Sequence, residues 1–396
     1  MISSINRLII AQAFRTLIFA GPIFTLFLLA KGLSLQQTLT ILSILILSGL
    51  IFEIPTGVFA DKYGRKWSMV AGSFLSASGW FIWLNINTFF GFAFIYALFG
   101  LANAFCSGSD QALIYDELKS IGRETDAQRV FSRYNGTTAA AYGIAAFIGG
   151  FIASTHNLAT YYTLFKMTFI ASLIGFLFTL TIKETKHTAK GEAISHKEQC
   201  ALQQFSAGLR LLKNNKKLRK IALFSTFAIP FALMELYQVY FQHADVPASW
   251  YGYSLTISSI LIAFTKWHAY RLEGWFGVEK SMMIISTLQI LLFCGIGVII
   301  HPIAAIILFI SADVIGNTRD PILTDYQNRH IEGHNRATVL STISLLNNGY
   351  VAIMLPIIGW IADKNLSSAF LIITAIIIFG NLAFRIKSDD VIIIKE

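Results

Sequence analysis

Gly57-Val58-Phe59-Ala60-Asp61-Lys62-Tyr63-Gly64-Arg65-Lys66 lies between two long apolar runs and decides how the chain is read. It holds one acid, three bases and two glycines. A chain that leaves a membrane helix, turns tightly and enters the next has this composition. Gly64 can supply the turn because it has no Cβ to clash. Lys62, Arg65 and Lys66 would hold the turn on the cytoplasmic side. An ordinary basic hairpin would carry the same bases. Asp61 adds nothing to that retention and needs another reason to be there.

Outward from this loop the composition is that of a membrane protein. Of 396 residues, 55% are hydrophobic and 13% charged, and the mean hydropathy is +0.61. A soluble domain carries about 25% charged residues, so a soluble enzyme is excluded. A span needs about 20 mostly apolar residues. Twelve such runs are read at 8–30, 38–60, 68–87, 89–113, 132–154, 160–182, 219–242, 250–271, 279–299, 302–325, 337–361 and 366–385. They are numbered here as spans 1 to 12. The first is too long for a signal-peptide core and lacks a clear cleavage site after it, so it is expected to be a retained helix. Residues 183–218 are polar and lysine-rich. The expected layout is a six-helix bundle over 1–182, a linker over 183–218 and a second bundle over 219–396.

The 31 lysines and arginines sort by side. With the N-terminus inside, 25 fall on the cytoplasmic side, three outside and three within spans. That asymmetry predicts a multi-pass protein with both termini cytoplasmic. It also accounts for the net charge of +9 without nucleic acid, for which there is no basic-aromatic module. Cys106 and Cys294 fall in apolar runs and Cys200 in the linker, so no disulfide framework is expected.

The pattern Gly-x-x-x-Asp-Lys-x-Gly-Arg-Lys at Gly57–Lys66 resembles the loop between the second and third helices of the major facilitator superfamily of secondary transporters. Glu53-Ile54-Pro55-Thr56 extends the likeness to bacterial efflux-like branches. The resemblance implies two pseudo-symmetric six-helix bundles in an all-α membrane protein. It also implies that Asp61 locks the loop when the cytoplasmic side is shut. Two departures weaken an antiporter reading. Span 5 keeps Gly149-Gly150 but has Ala145-Ala146 where antiporter branches have a Gly-Pro pair, and span 4 has Ala104 near the place of their mid-helix arginine.

The halves repeat weakly, as expected of such carriers. A shift of about 210 residues lays Ala112–Asp116 over Pro321–Asp325 and Arg129 near Arg336. The glycine loop has a worn counterpart, Gly274–Lys280, with Gly274 where Asp61 stood.

An ionisable group inside a span costs a few kcal/mol on insertion scales, so each is a functional candidate. They are Arg15 in span 1, Glu53 in span 2, Asp110 in span 4, Glu235 in span 7, Lys266 in span 8, and Asp313, Arg319 and Asp320 in span 10. In the superfamily, spans 1, 4, 7 and 10 line the cavity, 2, 5, 8 and 11 flank it, and 3, 6, 9 and 12 face lipid, so these charges fall where the resemblance implies water and substrate. Glu235 is the leading proton site, since a carboxyl can be neutral when dry and charged when wetted. Gln238 and Gln242 share its helical face, and Pro230 is expected to bend that helix. Asp313, with Asn317 a turn on, is the second proton site. Arg15 with Gln12 is expected to bind an anionic group of the substrate, or else to be paired for good with an acid. Asp110 reads equally as a cap, a gate or a coupling residue. Glu53, Gly57, Asp61, Gly64, Arg65, Lys66, Asp110, Arg319 and Asp320 form the expected cytoplasmic gate. Lys266, Trp267, Asn347 and Asn348 complete the expected substrate contacts. Tyr237, Tyr240 and Tyr350 fit a cavity wall or ordinary packing. Trp80 and Trp83, in span 3, are expected to face lipid.

No ATP-binding loop or catalytic constellation is present in the sequence. His330 and His334 have a helical metal spacing, but without a partner motif no metal site is assigned. The tail Val391–Glu396 is too short to span and would lie along the membrane surface. The sequence therefore predicts a secondary transporter with no cofactor, placed in a bacterial inner membrane and working as a monomer by alternating access. Its expected partners are a small organic solute, anionic or amphipathic, protons and the lipid bilayer. Export is favoured over uptake symport or uncoupled facilitation.

Overall fold

A computed structural model describes residues 2–154, 157–184, 207–227, 231–330 and 336–385. Among the described residues every regular element is a helix. Nine are long and apolar enough to cross a membrane. One of them, Ser249–Val298, is two helices joined at Gly277, whose φ of 72° no side chain with a Cβ adopts easily. The other apolar runs of the sequence correspond to the second limb of that element, to Arg65–Trp83, and to the pair Lys216–Phe227 and Leu233–His243. This is the chain of an integral membrane protein.

Three spans that the sequence reads as continuous are interrupted. Span 1 is Ile2–Thr16, a 3-10 turn Gly21–Ile23, and Phe24–Ala30. Span 4 stops at Cys106 and restarts at Ser109, with Gly108 left-handed at φ 73° between them. Span 7 restarts at Leu233 after Ala232, which adopts φ 63° without a side-chain cap. Hydropathy alone could not locate these breaks, because the interrupting residues are themselves apolar or small.

The chain divides into two compact units, Met1–Leu33 with Ile41–Ala201, and Ser34–Thr40 with Leu202–Glu396. Ser34–Thr40 belongs to the second unit because its backbone is held there. The amides of Leu35 and Gln36 donate to Asp363 Oδ1 and Oδ2 at 2.7 and 3.0 Å. Gly359 lets the helix Arg336–Lys364 approach the same backbone, since a Cβ there would meet Leu35 O at 2.8 Å.

In the first unit, Arg65–Trp83 packs on Phe89–Cys106 and on Leu158–Leu180. Trp80 and Trp83 are only 6% and 0% exposed, which corrects the expectation that they face lipid. They lie in an aromatic cluster with Phe24, Phe92 and Phe165, whose ring centroids are 4.6 to 6.2 Å from theirs. Helices in a bilayer gain little from hiding apolar surface, so their contact rests on van der Waals packing. Large flat rings facing small residues supply it: Gly79 on the tryptophan helix leaves no more room than the edge of Phe99 needs.

In the second unit, the end of the stretch read as polar linker is helical, over residues 207–214. Leu212 is buried with Leu218, Ala222, Val339 and Ile343. The leucines at 211, 212 and 218 give this basic segment an apolar side that the charge count hides.

Candidate functional site

The glycine loop is a helix start, and its amides are capped from a distance. Gly64 has φ 101° and precedes the helix Arg65–Trp83. Free amides at such an end carry a partial positive charge. Glu184, just beyond span 6, accepts from Arg65 N at 2.8 Å and Lys66 N at 3.2 Å. A Cβ on Gly64 would come within 2.7 Å of Glu184 Oε2, so the residue at 64 must be small for the cap as well as for the turn. The Arg65 guanidinium pairs with Asp116 on the helix Ser109–Ser120, with both side chains about a third exposed or less (33% and 26%). Arg65 therefore ties span 3 to span 4, while Lys66 Nζ rests over the Trp67 ring. Asp61 is exposed and engaged. Glu53 is exposed and forms no ion pair among the described residues; Gly57 has open space around its Cα.

Asp110 belongs to a different neighbourhood from the loop. It occupies the first turn of Ser109–Ser120 and caps it through Gln111 N, 2.7 Å from Oδ1. Its other oxygen accepts the phenolic O–H of Tyr134, on span 5, at 2.5 Å. Arg15 stands in the last turn of Ile2–Thr16, where the helix end favours a cation. It hydrogen-bonds the Cys106 side chain, and Arg15 and Asp110 both act electrostatically on Cys106 and Tyr134. The interruptions of spans 1 and 4 thus bring a cation, an anion, a thiol and a phenol together. The Arg15 Nε is buried without a hydrogen-bond acceptor. Gly175 makes room for this arginine, since a Cβ there would lie 2.8 Å from Arg15 Cγ. Gln12 Nε2 donates to Thr16 Oγ1 on its own helix at 3.5 Å.

The second unit repeats the device with different residues. Glu235 lies in the first turn of Leu233–His243, immediately after the break in span 7. Asp110 has the same placement after the break in span 4. Gln238 is 2% exposed and engaged. Asp313 is 6% exposed in span 10. Ser258 on span 8 donates to its Oδ2, and Asn317 Nδ2 donates to its Oδ1 at 3.0 Å. Lys266, on the same helix as Ser258, acts on Asp313 and lies 3.5 Å from Asp320 Oδ2. Arg319 is buried at 2% exposure and engaged. Trp267, beside Lys266, is 79% exposed.

Other expected contacts have partners within the protein. Asn347 Oδ1 accepts from Thr226 and Ser225 at 2.7 and 3.2 Å, so its amide ties span 11 to span 7. Asn348 is exposed and has no such tie. Tyr240 donates to Ile299 O at 2.7 Å, and Tyr237 stacks on Phe309 with centroids 4.5 Å apart; both are packing residues. Pro230, His334, Cys200 and the tail from Val391 lie outside the described residues, as does the His330 side chain.

Sequence reading missed Tyr134, Cys106, Glu184 and Ser258 as members of these groups. A tyrosine, a cysteine and a serine in apolar runs look like packing. Glu184 looks like one more polar residue at the start of the linker.

The worn glycine loop keeps its geometry. Gly277 makes the turn that Gly64 makes, and Glu279 beyond it pairs with Arg385 Nη2 at 3.2 Å, at the end of span 12. In the first unit an acid at the end of span 6 meets the start of span 3. In the second, a base at the end of span 12 meets an acid at the start of span 9.

Comparison with known proteins agrees with this architecture. The chain is similar to the nucleoside transporter NupG, with a TM-score of 0.80 at 16% identity over 96% of this chain and 98% of that one. It is similar to a bacterial homologue of the iron transporter ferroportin (0.70, 12%, 97% and 98%) and to a peptide transporter, POT (0.68, 13%, 96% and 93%). At these identities the likeness is one of fold. Among curated proteins it matches the uncharacterised MFS-type transporter MJ1560 of Methanocaldococcus jannaschii, 22% identical over 62% of this chain. It also matches the uncharacterised MFS-type transporter YxaM of Bacillus subtilis, 33% identical over 22% of this chain. The matches span 61% and 22% of those relatives' lengths. The sequence profile of the Major Facilitator Superfamily matches residues 8–350, so the chain belongs to that superfamily, a family of transporters rather than enzymes.

Proposed function

We propose that the protein is a secondary transporter that exports a small organic solute, with an anionic group on an amphipathic body, by alternating access coupled to protons. The observation that carries the reading is Arg15. Its Nε is a buried donor without an acceptor, held beside Cys106, Asp110 and Tyr134 where spans 1 and 4 are interrupted. An unpaired donor in a dry place is costly. A solute carboxylate or phosphate reaching that nitrogen would remove the cost. Broken helices around the substrate are a recurrent way of building such a site.

Asp313 and Glu235 are the proposed proton carriers. Ser258 and Asn317 can serve Asp313 in either charge state, because a hydroxyl can donate or accept. The remaining candidates follow: Gln12, Gln238, Lys266, Trp267 and Asn348 as substrate contacts, with the Glu53–Lys66 block, Arg319 and Asp320 as the inner gate on the cytoplasmic side. The protein would work as a monomer in a bacterial inner membrane with both termini inside. Ala145-Ala146 and Ala104, the departures from antiporter branches, favour a second reading, proton-coupled uptake.

The test is flux in proteoliposomes of a solute chosen by thermal-shift screening of amphipathic organic anions. Export predicts solute and proton moving in opposite directions, and symport predicts the same direction. Flux indifferent to a pH gradient would remove the proton claim. Unchanged flux in Arg15→Ala would remove the substrate site.

A further inference from the structure

A cavity of about 430 Å³ opens in the first unit between the start of span 1, the end of span 4 and the start of span 5. None of Arg15, Cys106, Asp110 and Tyr134 lines it, and it plays no part in the transport reading. Its floor is apolar: Ile9 and Leu118 are buried at 5% and 3% exposure. Its rim carries Arg123, Asp126, Arg129 and Arg133. Arg123 Nε is neutralised by Asp126 at 2.6 Å. Arg129 and Arg133 are not neutralised. Both are exposed, and neither guanidinium forms a hydrogen bond or ion pair among the described residues. They stand four apart on the helix Ala127–Ala153, so they share a face at the distance where like charges repel.

We propose that this cavity binds a phosphoryl oxyanion carried on a small apolar body. Two guanidinium groups one turn apart offer more donors than a carboxylate can use. A phosphate monoester brings three acceptor oxygens and a charge of about −1.5 to −2, and guanidinium forks match it in paired hydrogen bonds. Ile9 and Leu118 take the apolar body. An anionic phospholipid headgroup and a soluble phosphorylated compound share this chemistry.

The experiment is the thermal unfolding midpoint of the purified full chain in detergent, titrated with phenyl phosphate, phosphatidylglycerol, phosphatidylcholine and benzoate. The expected result is a saturable rise with phenyl phosphate, phosphatidylglycerol or both, with no rise from phosphatidylcholine and half-saturation by benzoate about tenfold weaker, as loss of one charge-assisted contact implies. A rise with phosphatidylglycerol alone identifies a lipid source; a rise with phenyl phosphate identifies a soluble one. R129Q/R133Q abolishes the rise and K119Q, outside the cavity, keeps it. Should the double variant not fold, R133Q alone must weaken half-saturation about tenfold. No rise with either phosphate, equal response to benzoate, or an unaltered response in the arginine variants overturns the proposal.

Discussion

Tyr134 donates its phenolic hydrogen to Asp110 at 2.5 Å, joining span 5 to the first turn after the break in span 4. The bond does two things at once. It gives a buried tyrosine hydroxyl its partner, and it holds the carboxylate whose other oxygen caps the helix through Gln111. Tyr134→Phe removes one hydrogen bond to a charged group, worth about 1.5–3 kcal/mol. It should lower the unfolding midpoint and slow flux. Asp110→Asn should do the same, and the double variant should cost less than the sum, because the two residues share one contact. A double-mutant cycle on denaturation checks this; strict additivity would mean the bond contributes nothing.

Glu184 and Gly64 form one device. The carboxylate sits on two free amides, and the glycine leaves it room. Glu184→Ala should cost about 1 kcal/mol, the usual value of a lost cap. Glu184→Gln should cost less, since an amide oxygen still accepts. Gly64→Ala should cost as much as Glu184→Ala or more, because φ 101° strains any side chain and the new methyl would press on the carboxylate. Unfolding of the three variants side by side ranks them. A Gly64→Ala variant as stable as the parent would mean that the turn is not held as described.

Asp313 tests the coupling claim. Asp313→Asn keeps the volume and leaves an amide that Ser258 and Asn317 can still engage, so the fold should survive. The variant should still exchange solute down its own gradient, while a pH gradient no longer accelerates flux. Measured in the same vesicles, full retention of gradient-driven flux would remove Asp313 from the list of proton carriers. Ser258→Ala should give an intermediate effect, because Asn317 remains.

Much of the fold is legible from apolar run length, and the glycine turn from Gly64 alone. What the sequence hides is where a span is broken. Gly108 looks like one more small residue between two serines, and Pro230 announces a bend but not a restart, yet Gly108 and Ala232 are each left-handed and each precedes a new helix. Without those breaks the reasons for Asp110 and Glu235 to be in the membrane cannot be seen, since a charge at a helix end is served by the end itself. The tryptophans failed for a related reason. Assigning span 3 to lipid assumes a whole helix faces one way, whereas Trp80 and Trp83 lie on its inner side. Trp83→Ala should cost about 3–5 kcal/mol as a fully buried ring. Trp83→Phe should be far milder, because the Trp83 Nε1 makes no hydrogen bond to lose.

Asp363 gives the last prediction. It holds Leu35 and Gln36, residues more than 300 positions away, through both carboxylate oxygens. This attachment places Ser34–Thr40 with the second unit while the rest of its helix runs with the first. Asp363→Ala removes both acceptors and leaves two amides at a helix start uncapped. Hydrogen exchange at residues 34–40 should then quicken, while exchange in the interior of span 11 stays slow. Asp363→Asn should fall between, since one amide oxygen can still cap Leu35 or Gln36 but not both. Gly359→Ala should mimic the alanine variant without touching the carboxylate, because its methyl would push the Leu35 carbonyl away. Agreement between two chemically unrelated substitutions would assign the effect to the attachment itself. Exchange at 34–40 unchanged in both would show that the segment is held by other means.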